Sequence, residues 1–378
     1  MIDLNNFARL LKDHNIEFLS GVPDTLLNDF CLYVEEKWPQ EKHVLAANEG
    51  NAIALASGYH LVTDTIPLVY MQNSGIGNAI NPLISLTHQS VYGIPMILLI
   101  GWRGEPGVKD HPQHTKQGQL TPILMDDLDI PWKKLSHNFE DVQGSIQWAV
   151  AKARSIGGPV ALLVPKGVLE RGEKSGFEDR TDLMSREEAI HSIVETLPSD
   201  TIYVAATGRA TRELYEVRRL RGEGHENDFL NVGAMGHTSS IAAGIALGQK
   251  QRLVVCLDGD ASAIMHMGAM AVIGQSKGLE SLIHIVLNNG VHESVGGQNA
   301  VTGKINVNEI AKDMGYSCVK EVIANKKTLI DHLEHLSNNR EKAAFLEIKI
   351  RKGMRKDLPP LVIVPQEQKE KLKYSFFN

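Results

Sequence analysis

Cysteine is scarce. Three thiols, Cys31, Cys256 and Cys318, stand in 378 residues, and no two have CxxC spacing. An odd, scattered set excludes a disulfide framework and fits a reducing compartment, so a cytoplasmic location is expected. Long apolar runs are missing as well: none approaches the roughly 20 residues that a membrane helix requires. The opening stretch MIDLNNFARLLKDHNIEF carries charges throughout and has no apolar core of the signal-peptide kind. Nor is there an excess of positive charge. The formal net charge is −6, which gives no global field to attract nucleic acid. What remains is ordinary for a globular protein: 43% hydrophobic and 22% charged residues, in a chain long enough for two domains.

Short apolar runs alternate with amphipathic stretches, as in IPLVYM (66–71), IPMILLIG (94–101), RLVVCLDG (252–259) and LIHIVLNN (282–289). That rhythm predicts parallel α/β layers. The order of landmarks then repeats. Gly21 after the first strand is matched by Gly208, 187 residues on; Gly50 and Gly58 are matched by Gly236 and Gly244, each 186 on. The strands ending at Tyr70 and Ile100 lie thirty residues apart, as do those ending at Leu257 and Leu287. These offsets predict an internal duplication of one α/β unit of about 180 residues. The expected division is a first domain over 1–167, a polar, aperiodic linker over 168–184, a second domain over 185–350 and a tail over 351–378. Ser185 and Glu188 form a capping-box pattern that opens the second domain.

Two segments suggest a bound polyanion. In LDGDASAIMHMGAM a buried strand ends at Gly259, Asp260 occupies the turn, and Ala261 and Ser262 open a helix. Backbone N–H groups at a helix start attract phosphate, and Asp260 can hold a cation that grips it too. Asn289 ends the next strand, LIHIVLNN. Asp260, Asn289 and the Val291 carbonyl would give three oxygen ligands, a set suited to Mg²⁺. In the other half, AANEGNAIALASGY places Glu49 at a helix start among small and apolar residues, where desolvation would raise its pKa.

The pair G-D-[GA]-x and N-N, about thirty residues apart, resembles the cofactor motif of the thiamin diphosphate (ThDP)-dependent enzymes, with Ala261 where Gly is usual. The resemblance spans almost the whole chain. It implies two related parallel-sheet domains, the first pyrimidine-binding and the second diphosphate-binding, without a middle domain because the linker is too short for one. Glu49 matches the family's activating glutamate, which bonds the aminopyrimidine ring. Met235 in NVGAMGHTSS matches the apolar wedge beneath the bent cofactor, between Ala234 and Gly236, with the Gly233 carbonyl placed to accept from the cofactor's exocyclic amine. Thr207 and Gly208 in TGRATR match the other diphosphate loop. ThDP and Mg²⁺ are thus the expected cofactors, with Gly259, Asp260, Ala261, Ser262, Asn289 and Val291 around the diphosphate and metal.

Three stretches, GVPDTLLNDF (21–30), GWRGEPGVKDHPQHTKQG (101–118) and NNGVHESVGGQ (288–298), resemble the branch of that family acting on three-carbon 2-oxo acids with a distal anion. The implied reaction is decarboxylation of 3-phosphonopyruvate to phosphonoacetaldehyde and CO₂. The alternative is sulfopyruvate or another 2-oxo acid. The second stretch gathers Arg103, Lys109, His111, His114 and Lys116 beyond a strand end, where α/β ligands bind. Local cations of this kind suit a dianionic substrate on an acidic protein; His111 stands where the branch has an acidic residue. Asp24, His292 and Glu293 are candidate proton carriers. The family's assembly implies a homodimer or dimer of dimers with sites at subunit interfaces. A non-catalytic nucleotide-binding protein would have no use for Glu49.

Overall fold

The computed structural model describes residues 1–170, 182–318 and 321–377. It comprises two compact units, residues 1–175 with 295–298, and residues 176–294 with 299–378. The polar stretch expected as a linker falls largely outside the described residues. Ser185 closes the expected capping box: its hydroxyl accepts from the Glu188 N–H at 3.1 Å, and its own N–H donates to Glu188 Oε2 at 2.7 Å.

The main sheet of the first unit has six strands, β1 (Leu19–Gly21), β2 (His43–Leu45), β3 (Leu68–Gln72), β4 (Met96–Gly101), β5 (Trp132–Lys134) and β6 (Pro159–Val164). That of the second has β7 (Ile202–Ala205), β8 (Asp228–Leu230), β9 (Val254–Gly259), β10 (Leu282–Asn288), β11 (Ser317–Cys318) and β12 (Ala344–Lys349). Every pairing within both sheets is parallel. Counted from the first strand of each sheet, both have the spatial order 2-1-3-4-6-5. The duplication read from glycine spacing is therefore present in the topology. Its register is kept at the two central strands: β3 and β4 end at Gln72 and Gly101, β9 and β10 at Gly259 and Asn288, an offset of 187 in each case.

The register slips at the first strand. Gly21 is the last residue of β1, whereas Gly208 lies beyond the end of β7, in the turn before the helix Arg209–Leu220. The short strands β2, β5, β8 and β11 carry no apolar run and were not legible in the pattern.

Central strands are buried on both faces, which is why they read as unbroken apolar runs. Every residue of β4 from Met96 to Ile100 is fully buried, as are Val254 to Leu257 of β9. The helix Glu49–Thr63 starts because Asn48 caps it, its side chain accepting from the Asn51 N–H at 3.0 Å. The tail forms a helix, Pro365–Phe377. Leu372 is buried in the second core, and Gln368 Nε2 donates to the carbonyls of His225 and Asp228 at 2.8 and 2.6 Å. Among the described residues no helix is long and apolar enough to cross a membrane.

Candidate functional site

Both units present chemistry at the carboxyl ends of their strands. In the first unit, Glu49 is the first residue of its helix and only 5% exposed. Its Oε2 accepts from Asn78 Nδ2 at 2.7 Å. Burial raises its pKa, with the Asn78 hydrogen bond opposing. Gly75 lies so close that a Cβ there would overlap the Glu49 carboxyl. That carboxyl therefore lies in dry surroundings, with Asn78 as its side-chain partner.

Asp24 is fully buried just beyond β1, and its Oδ2 has no hydrogen-bond partner. Burial pushes its pKa up to about 6, against the pull of nearby backbone N–H groups and Arg103. Beside it opens a cavity of about 560 Å³, lined by Thr25, Leu26, Arg103, Lys109, His111 and Lys166 among others. A hollow of about 670 Å³ along Lys134–Asn138 is larger, but its five consecutive residues bring no convergent chemistry.

The expected cation cluster is only partly a loop of free cations. The helix Pro112–Asp127 begins inside it, so His114 and Lys116 sit on a helix, with His111 at the cap position. Arg103 is already engaged: Nε and Nη2 grip Asp110 at 2.8 and 2.6 Å, and Nη1 donates to Thr25 at 2.6 Å. Asp110 also accepts from the N–H groups of Gly104 and His111 at 2.8 and 2.7 Å. The Arg103 hydrogen bonds hold its carboxyl far below the usual range. Burial, then the Arg103 charge, lowers His114 to about 4, so near neutral pH it is not a cation. Lys109 and Lys166 line the cavity, are exposed, and have no ion pair among the described residues. Lys166 was missed because VPKG reads as an ordinary strand end.

In the second unit the helix begins at Asp260 itself, with Gly259 as its cap, rather than at Ala261. Asp260 is buried; its Oδ2 accepts from Thr302 Oγ1 and from the Gly290 N–H at 3.1 Å. Burial raises its pKa and the Thr302 bond opposes this. The structure thus brings Asp260 against the 289–291 turn, as the thirty-residue spacing required. Asn288 is structural, fully buried with Nδ2 on Glu347 at 2.7 Å. Asn289 Oδ1 accepts from the Val291 N–H at 3.1 Å, and its Nδ2 donates to Glu293 at 3.1 Å. A carboxylate, an amide oxygen and a backbone carbonyl are hard donors that fit Mg²⁺.

The NVGAMGHTSS segment meets the same helix. Gly236 N–H donates to Ser262 Oγ at 3.2 Å. Half-buried Met235 is held out by a turn in which Ala234 (φ +49°) and Gly236 (φ +85°) are both left-handed. A left-handed alanine costs about 1 kcal/mol, strain of the kind found at ligand sites. Gly208 has φ +103° and ψ −121°, a conformation for glycine alone, and a Cβ there would also crowd Ser294. Thr207 beside it is half-buried.

The two remaining candidates differ. His292 is half-buried, and burial lowers its pKa to about 4. Glu293 is buried with both oxygens occupied, by Arg186 and Asn289 on one and the Gly353 N–H on the other. A separate buried group, Cys256, Asp258 and His284, has ligand atoms within 4.8 Å of one another. Its thiol and imidazole are softer donors than the Asp260 set.

Residues 5–127 match the model of the thiamine pyrophosphate enzyme N-terminal TPP binding domain, and residues 206–348 the C-terminal one. A phosphonopyruvate decarboxylase of Streptomyces viridochromogenes is 31% identical over 84% of this chain and 81% of its own. One from Streptomyces hygroscopicus is 32% identical over 84% and 80%. A sulfopyruvate decarboxylase of Methanosarcina acetivorans is 25% identical over 96% and 95%.

Proposed function

This chain belongs to the thiamine pyrophosphate enzyme family as a ThDP-dependent carboxy-lyase, and from that premise we propose that its substrate is 3-phosphonopyruvate, converted to phosphonoacetaldehyde and CO₂. The observation carrying the substrate is the cavity beside Asp24, where Lys109 and Lys166 have no ion pair among the described residues while Arg103 is spent on Asp110. A phosphonate dianion suits two unpaired ammonium groups in one cavity. Mg²⁺ is the proposed metal, held by Asp260, Asn289 and the Val291 carbonyl. Thr207, Gly208, Gly259, Ala261 and Ser262 would surround the diphosphate, with Met235, between Ala234 and Gly236, beneath the cofactor and the Gly233 carbonyl as an acceptor for its amine.

When bound, ThDP supplies an electron sink for the pair left as the carboxylate departs as CO₂. This chain's residues do the rest. Glu49, whose pKa burial raises, would hold the pyrimidine end of the cofactor by a hydrogen bond. The C1–C2 bond of the substrate breaks, and one proton must reach C2 before aldehyde leaves. Asp24, balanced near pH 6, and His292, neutral near pH 7, are the proposed carriers. Glu293 is left out of that role because both its oxygens are bonded.

A homodimer or dimer of dimers is proposed as the assembly. The substrate test is CO₂ release from 3-phosphonopyruvate, sulfopyruvate, pyruvate and benzoylformate with ThDP and Mg²⁺. Phosphonopyruvate should have the highest kcat/KM. Lys109→Met and Lys166→Met should each raise its KM tenfold or so while changing the pyruvate KM little, the loss of one charge-assisted contact costing about 1.5 kcal/mol. A preference for sulfopyruvate would replace the proposed substrate.

A further inference from the structure

Asn289 has two chemically opposite amide ends, and only Oδ1 can ligate a cation. Glu293 Oε2 accepts from Asn289 Nδ2 at 3.1 Å, and the reversed amide would set oxygen against carboxylate. Glu293 is in turn anchored from three sides. Arg186, itself 6% exposed at the start of the second unit's first helix, pairs with the same oxygen. The Gly353 N–H, beyond β12, donates to the other oxygen. Arg209 Nη2 donates to the Glu293 backbone carbonyl at 3.1 Å. Arg186 also reaches Glu213 at 3.4 Å, a carboxyl that burial pushes up to about 7. One buried cation thus sits between two buried carboxylates. An arrangement so demanding in desolvation is more than a loop needs merely to close.

We propose that Arg186 and Glu293 are positioning residues that fix the amide orientation of Asn289, and so present its oxygen to the metal. The proposal rests on the ThDP–metal reading above. It assigns Glu293 a task that needs its hydrogen bonds held in place, which a proton carrier could not do. Partners of a metal ligand typically set metal affinity by 10- to 100-fold.

The test is Mn²⁺ binding to the full chain with saturating ThDP, read from the free-Mn²⁺ electron paramagnetic resonance signal. Glu293→Gln and Arg186→Met should each weaken Mn²⁺ binding by tenfold or more. The double variant should lose little beyond the worse single one, because both act through one amide. Excess Mn²⁺ should restore ThDP occupancy, which a merely misfolded variant would not show. If Arg186→Met does not fold, Glu293→Gln alone decides the matter. Mn²⁺ affinity within twofold of wild type in folded Glu293→Gln overturns the proposal, as does a loss that excess metal cannot restore. A wild-type chain that binds no Mn²⁺ with ThDP would instead overturn the cofactor reading beneath it.

Discussion

Two carboxyls of the first unit, Glu49 and Asp24, lie in dry surroundings, and each makes its own prediction. Glu49 accepts from Asn78 and has a pKa raised by burial. Glu49→Gln should therefore retain ThDP, measured by its release on denaturation, yet lose turnover by 10²-fold or more, as for loss of a catalytic proton. Retained CO₂ release would remove Glu49 from the chemistry. Asp24 makes a prediction about stability instead. Its folded pKa is about 6 against an ordinary 3.8. Below the unfolded value the carboxyl is neutral in both states and costs nothing. As pH rises through 6 the folded chain must ionise it in a dry site, so stability is lost. Asp24→Asn should accordingly leave stability nearly unchanged at pH 4 and raise it by up to about 3 kcal/mol at pH 8. Urea unfolding of both proteins at the two pH values measures this. An equal effect at both would mean that the carboxyl is not ionising against burial.

At the scale of elements, the parallel strands place every candidate residue. Candidate site residues follow strand ends: Asp24 after β1, Arg103 after β4, Asp260 after β9, Asn289 after β10. The least expected element is the helix Pro365–Phe377, which the charged sequence QEQKEKLK disguises. Its anchor is Leu372, 7% exposed against the core that includes Phe345 and Ile202. Leu372→Ala should cost about 2 to 4 kcal/mol, in line with large-to-small changes in cores. Thermal unfolding monitored by circular dichroism would show the loss. A shift below about 0.5 kcal/mol would mean that the helix does not contribute to the second core.

For the molecule as a whole, the proposed reading gives each unit one half of the cofactor chemistry. Glu49 belongs to the first unit and Asp260 to the second. In the proposed dimer the first unit of one copy meets the second unit of its neighbour, giving two equivalent sites. Mixing inactive Glu49→Gln chains with inactive Asp260→Ala chains should then regenerate activity, since some hybrid sites escape both substitutions. With random exchange of equal amounts, about a quarter of the wild-type rate is expected from independent sites. No recovery, with exchange shown by mass spectrometry, would place each site within one chain.

The sequence by itself determined the two parallel sheets, their central strands and the glycine-marked turns. Strands buried on both faces must be apolar throughout, and duplicated positions keep their spacing, so both leave periodic traces. It also singled out Glu49, Asp260 and Asn289, because hard-cation ligands and a desolvated acid need particular residue types at particular strand ends. Tertiary structure decided which charges remain available. Arg103 and Lys166 are alike as letters, but Asp110, seven residues from Arg103, folds back onto its guanidinium. His114 reads as a cation until burial removes its proton. Glu293 reads as a free acid until Arg186, 107 residues away in sequence, closes on it. Such pairings leave no periodic signal, because a hydrogen bond depends on where two distant atoms meet.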